Sequence, residues 1–240
     1  METGTGEEKK TELIFADDEH LPYYFVQMGE DRTPYQPGSL VEVTLPETAV
    51  DEGYEICGAE VKGLVFSDRF EPSPVEGQAN TYSFTMPRMS CTVEHVVAAK
   101  GLERDENGYF LVKSLDDLKK VKNTIEKGND DLNVKLMADI DGYQEGPIRV
   151  SPGYEGTFDG NHHSITVDLK DSTERERYGL FDVVEDNGVV KDLTIQGKME
   201  VNASYAGAIA GQNHGTVTDC VNNAEIVNEK NGGASGGIVG

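Results

Sequence analysis

Polar and apolar residues alternate in short runs along most of this 240-residue chain. Between residues 12 and 100 the runs LIFA, YYFVQM, LVEVTL, YEICGAEVKGLVF, TYSFTM and CTVEHVVAA are separated by Pro, Gly, Asp and Asn. Period-two runs bounded by such residues predict antiparallel strands with one buried and one wet face. In SLVEVTL, Val41, Val43 and Leu45 share the predicted inner face, and Leu40 and Glu42 the outer one. Residues 12–100 are therefore expected to form a small antiparallel β module, preceded by a polar leader over 1–11.

The period then changes. In LVKSLDDLKKVKNTIEKGND, Leu115, Leu118, Val121 and Ile125 recur at helical spacing. Ser114, with Asp117 three residues on, can cap the start, and Gly128 can end the helix in the left-handed conformation. Residues 101–132 thus read as a linker and a capping helix. Lys119, Lys120, Lys122 and Lys127 invite a phosphate-binding interpretation. Their place on the wet face towards the C-terminal half favours plain solvation and the helix dipole instead.

From residue 133 the pattern is strand, turn, strand, and it repeats. Gly188 set against Gly215 aligns Asp192 with Asp219 and Leu193 with Cys220, and Gly211 aligns with Gly240. Three short strands recurring at these offsets predict a solenoid, in which each coil buries its apolar face only by stacking on the next. Ile209, Val217 and Ile226 are expected to point inward and stack on Leu180, Val190 or Ile195. Gly and Asn are expected at bends with positive φ, and Ala206, Gly207 and Ala210 to let coils approach closely. GAIAGQNHG lacks the spacing and the following helix of a dinucleotide site. The fold class is mainly β: a β module over 12–100, a capping helix, and a right-handed parallel β-helix over 133–240.

Charge narrows the partners. Asp and Glu number 44 against 21 Lys and Arg, a net charge of −23 that disfavours nucleic acid and anionic membranes. No run approaches the ~20 apolar residues of a membrane span, and METGTGEEKK lacks the apolar centre of a signal peptide. The closing SGGIVG opens a further repeat, so the natural protein is expected to continue, with its leader removed. Cys57, Cys91 and Cys220 have no metal spacing, and free thiols are favoured over a Cys57–Cys91 bridge.

Two resemblances add to these readings. PGSLVEVTLPETAVDEGYEICGAEVKG followed by ANTYSFTMPRMSCTVEHVVA resembles the divergent internalin-type B repeat, or bacterial repeat domain, over residues 35–98. There Gly53 and Gly58 would mark turns, Tyr54, Ile56, Phe84 and Met86 would supply the core, and Pro87 would stop a strand. GTFDGNHHSITVDL, YGLFDVVEDNGVVKDLTIQGKMEV, YAGAIAGQNHGTVTDCVNNAEI and GGIVG resemble the GLUG-motif β-helix of bacterial surface proteins over 109–240. Asp182 stands where that pattern has Gly, which suggests a wider bend. The resemblances imply secretion, surface display and no catalytic residues to carry over.

Parallel β-helices also host polysaccharide lyases and glycosidases, so Asp139, Asp141, Asp159, Asp182, Glu185 and Asp186 are the candidates for acid–base work or calcium. In ADID and FDG an Asp more simply accepts backbone hydrogen bonds at a bend. His162 and His163 are adjacent, a poor geometry for joint metal ligation. The expectation is a non-catalytic extracellular fragment acting as adhesin, stalk or recognition module, with no catalytic, cofactor or metal site. Its partner would be a host or dietary glycan or an extracellular protein, and the chain a monomer. The alternatives are a polysaccharide-processing β-helix, or an accessory region of a larger secreted protease.

Overall fold

A computed structural model describes residues 23–47, 50–65 and 68–240. The polar leader and the expected strand LIFA lie outside the described residues. The chain divides into two compact units, one comprising residues up to 49 and 57–96, the other 50–56 and 97–240.

In the first unit, strand Leu40–Thr44 pairs antiparallel with Thr81–Thr85, placing Val41 opposite Phe84 and Val43 opposite Tyr82. Val41, Val43 and Leu45 are buried while Leu40 and Glu42 are exposed, as the alternation demands. They join Val26, Ala59, Val61, Phe84, Met86, Cys91 and Val93 in one apolar core. Two details depart from expectation. Tyr24–Met28 pairs parallel, not antiparallel, with Cys91–Ala99, through Val26 and Cys91. Gly58 lies inside strand Tyr54–Gly63 and marks no turn, whereas Gly53 does, at φ 87°.

In the second unit, helix α1 spans Leu115–Glu126. Ser114 Oγ accepts the Asp117 N–H at 3.2 Å, and Gly128 follows the helix at φ 104°. Leu118, Val121 and Ile125 are buried, and the helix packs on strands Phe110–Val112 and Ile140–Tyr143 of the first coil. It caps that end of the stack.

Beyond the helix the chain winds through about four turns of a three-faced β-solenoid. The first face stacks Val134–Leu136, Thr157–Asp159, Val189–Lys191 and Thr216–Thr218 in parallel. The second stacks Ile140–Tyr143, Ser164–Tyr178, Thr194–Ala206 and Val221–Asn228. The third carries Phe181–Val184 on Ala210–Asn213, continued by bridges at Ile148, Tyr154 and Val239.

Register shows why this sequence needs the stack. On the first face Val134, Phe158, Val190 and Val217 lie over one another. Ile140, Ile165 and Ile195 do so on the second, and Ile148, Phe181, Ala210 and Val239 on the third. No coil has a core of its own; each ladder removes apolar surface from water only in the company of its neighbours. Tyr154 and Phe181 stack at 4.7 Å, with Phe158 edge-on to Phe181 at 5.5 Å, filling the interior with aromatic rings. The expected repeat is met: Val190 registers with Val217, the same offset as from Gly188 to Gly215, and Ala210 with Val239, the offset from Gly211 to Gly240. Ile226, however, registers with Met199, and Asn222 occupies the place next to Ile195, because the offset that joins Val190 to Val217 also carries 195 to 222.

Gly207 allows the close approach expected of it, and four other repeat glycines serve that same purpose and not that of a left-handed bend. Gly179, Gly188, Gly207, Gly211 and Gly215 do not sit at positive φ. A Cβ on Gly179 would lie 2.8 Å from the Ala210 backbone, and one on Gly207 2.7 Å from Gly240 N. These positions are glycine because another coil's backbone passes too close for a side chain. Left-handed bends are held by Gly146 and Gly232 and by Asn161, as expected, and also by His162, Asp192 and Asp219. Asp192 and Asp219, at φ 51° and 52°, hold the same corner in successive coils.

Candidate functional site

The six carboxylates proposed for chemistry are distributed over all three faces. Asp159 lies buried at the end of a first-face strand. Lys191 Nζ is 3.0 Å from its Oδ2, and the Asn161 N–H donates to its Oδ1 at 2.8 Å. Asp139 precedes the second face and accepts the Ser164 N–H at 2.8 Å, with His163 Nδ1 at 3.3 Å. That backbone donor first, with further help from His163 and the Ser164 side chain, holds its carboxyl below the ordinary range against the opposing effect of burial. Asp141 accepts the Thr166 hydroxyl at 2.8 Å, and Gln196 Nε2 donates to Thr166 at 2.9 Å, a polar ladder across three coils. Glu185 stands at the corner after the third face, and Asp186 beside it is exposed. Each links one coil to the next or faces water.

Asp182 differs. It lies within strand Phe181–Val184, so no wider bend forms where the resemblance suggested one. Its register partner in the preceding coil is set by the bridge of Ile148 to Phe181, which brings Arg149 beside it. The Arg149 Nε–H donates to Asp182 Oδ2 at 2.6 Å. Arg149 is held from its other side, its backbone N–H donating to Glu126 Oε1 at 3.0 Å, while its guanidinium lies 5.9 Å from the Tyr178 ring. Lys122 completes the cluster, ion-paired with Glu126 and donating to the Pro147 carbonyl at 3.0 Å.

Burial pushes the Asp182 carboxyl up, with Arg149, Arg175 and Lys122 pulling the other way. The Tyr178 phenol is pushed up to about 12, by burial first and by Asp171 and Asp182. Arg149 Nη2 and Asp182 Oδ1 are buried without hydrogen-bond partners among the described residues. A half-buried carboxyl that holds its proton more tightly than usual has the character of a general acid. The same geometry is also that of an ion pair fastening helix, first coil and second coil together.

Sequence reasoning found Asp182, and named Lys122 only among the helix lysines, but missed Arg149, Arg175 and Tyr178. Arg149 was legible in principle, since GPIRV and GLFDVV align as successive third-face strands with Arg facing Asp. The offset there, from Ile148 to Phe181, is wider than the one from Gly188 to Gly215 that defines the repeat.

The other candidates do not converge. His162 and His163 share a turn, and each faces a different carboxylate, Asp192 at 3.6 Å and Asp139 at 3.3 Å. Among the described residues no group of three or more His, Cys, Asp or Glu is placed to hold a metal ion. The four lysines of the helix region are all paired: Lys119 with Glu145 at 2.7 Å, Lys120 with Asp116 at 2.9 Å, Lys122 with Glu126 and Lys127 with Asp51. They offer no open cation cluster to a phosphate. Gly207 and Gly211, in the glycine-rich GAIAGQNHG, pack on neighbouring backbone, and the segment leads into strand Ala210–Asn213. Cys57, Cys91 and Cys220 are free thiols, and burial raises the Cys91 thiol to about 11. No described helix is long and apolar enough to cross a membrane.

Comparison with known proteins gives distant similarity. Over 130 residues, 50% of this chain, it is 29% identical to the "Putative Gly-rich membrane protein" of Evansella cellulosilytica. Over 141 residues, 55% of this chain, it is 27% identical to halomucin of Haloquadratum walsbyi. The matched regions span 15% and 2% of those two proteins. No family model matches the chain, and no solved structure matches it significantly.

Proposed function

We propose that this chain is a non-catalytic segment of an extracellular bacterial surface protein, in which a β module and a β-solenoid serve as stalk, adhesin or recognition surface. The observation that carries this is the use of the carboxylates. Asp139, Asp141, Asp159 and Asp182 each bind a group on an adjacent coil, which is scaffold work. The distant similarity to a Gly-rich membrane protein and to halomucin supports a surface setting. So does the resemblance of 35–98 to internalin-type B repeats and of 109–240 to GLUG-motif solenoids. The ligand class is an extracellular glycan or protein, met on the exposed faces. A role as an accessory region of a larger secreted protease is compatible with the same scaffold.

One observation favours a second reading, a polysaccharide-processing solenoid: the raised carboxyl of Asp182 beside Arg149 and Tyr178. Incubation of the chain with a panel of plant and host polysaccharides, with and without calcium, separates the two. The scaffold reading predicts no new reducing ends and no unsaturated sugars. Turnover that disappears in Asp182→Asn would establish the enzyme and end the first reading.

A further inference from the structure

A stack of parallel strands is a template at its end, because the last strand presents backbone groups that no neighbour uses. At the end under α1 the three faces meet this differently. On the first face the two-residue strand Glu103–Arg104 turns back antiparallel on Phe110–Val112, the short kind of strand that blunts an edge. On the second, the helix itself packs on Ile140–Tyr143. On the third, among the described residues, no strand pairs with 147–149 on the side away from Phe181.

Side chains of the helix take that strand's place. Ile148 directs both backbone groups at the next coil, its N–H donating to Leu180 O at 2.7 Å and its carbonyl accepting the Asp182 N–H at 3.2 Å. Neighbours in a strand point theirs to the opposite side, so those of 147 and 149 face α1. Pro147 has no N–H to offer. Its carbonyl accepts Lys122 Nζ at 3.0 Å, and the Arg149 N–H donates to Glu126 Oε1 at 3.0 Å. Lys122 and Glu126, ion-paired one helical turn apart, thus supply the donor and the acceptor that a strand would. Burial sets this lysine apart: its side chain is 12% exposed, against 42%, 32% and 45% for Lys119, Lys120 and Lys127. A lysine present only for solvation stays in water.

We propose that Lys122 and Glu126 act as a surrogate strand that closes the third face and keeps the first coil from taking up a strand of a second copy of this chain. A second copy is the competitor because its own third-face strands carry the inner ladder this edge accepts, as Phe181 does over Ile148. Without the pair, the Pro147 carbonyl and the Arg149 N–H are left for a newcomer to bond. The missing N–H of Pro147 limits what such a strand gains, and the two side chains remove the rest.

Amide hydrogen exchange by NMR and sedimentation of the 240-residue chain test this. In Glu126→Ala the Arg149 amide should exchange at least about tenfold faster than in the parent, while the Ile148 amide, bonded to the next coil, holds its rate. Glu126→Gln, whose side-chain oxygen still accepts, should keep the Arg149 amide protected. At equal concentration the double variant Lys122→Ala, Glu126→Ala should self-associate more strongly than the parent. Asp116→Ala, Lys120→Ala removes an ion pair of the same spacing from the same helix and should not. An Arg149 amide that stays protected in Glu126→Ala, or an Ile148 amide that quickens as much, overturns the proposal. So does equal association of the two double variants. A Lys122→Ala, Glu126→Ala chain that melts lower without added association would make the pair a fastener of the helix only, and overturns it too.

Discussion

Adding one methyl group at Gly215 should destabilise the solenoid, whereas adding one at Gly237 should not. Gly215 enters strand Thr216–Thr218, and a Cβ there would collide with the backbone carbonyls of Glu185 and Gly188 in the neighbouring coil. Backbone held in two ladders cannot step aside, so the cost is that of overpacking, about 1–3 kcal/mol. Replacing Gly by Ala also removes freedom from the unfolded chain, which stabilises by about 0.4–1 kcal/mol. Mid-range values leave a net loss of roughly 1–1.5 kcal/mol, a fall in Tm of about 3–6 °C for a unit of this size. At Gly237 nothing lies within 4 Å of the added atom. Only the second effect acts there, and Tm should rise by about 1–4 °C. Differential scanning calorimetry of both variants reads the two signs side by side. If Gly215→Ala melts at or above the parent chain, the coils are not held at this separation, and close approach is the wrong reason for the glycine.

Ile209→Asp should abolish the cooperative unfolding of the solenoid seen by calorimetry, since its side chain is wholly buried and an unpaired buried charge costs several kcal/mol. Thiol titration in denaturant without reductant should count three, and in the native state Cys91, buried and with its thiol raised to about 11, should react last. Asp182 and Glu200 should impose opposite pH trends. The Asp182 carboxyl is raised by folding, so its protonated form favours the fold below the ordinary carboxylate range and that gain is lost as pH rises through the raised value. The stability of the parent relative to Asp182→Asn should therefore increase as pH is lowered from neutral into the carboxylate range. Glu200 is held down to about 2 by hydrogen bonds to Lys198 and Lys170, so its contribution relative to Glu200→Gln should be present at neutral pH and fall away as pH drops towards 2.

Periodicity made the solenoid legible because the inner ladders of its last coils repeat side chains at nearly the same offset. Val190 and Val217 sit at the same place in the pattern, as do the corner residues Asp192 and Asp219. It could not say what the glycines are for. A left-handed corner and a close backbone approach both select glycine, and only the structure separates them, placing Gly146 and Gly232 at left-handed bends and Gly188 and Gly215 against a neighbouring coil's backbone. The first unit's strands were visible in SLVEVTL, but strand direction was not, because alternation is the same for parallel and antiparallel neighbours. The Arg149–Asp182 cluster escaped because the coils differ in length. The first and second coils register Tyr143 with Val167 but Ile148 with Phe181, so the second coil spends more residues between those two points than the first.

Surface display is open to direct observation with antibody raised against this chain and intact cells of its natural source. Intact, unpermeabilised cells should bind the antibody, and brief treatment with external protease should remove the signal. Labelling that appears only after the cells are opened would place the chain inside and contradict the proposed function.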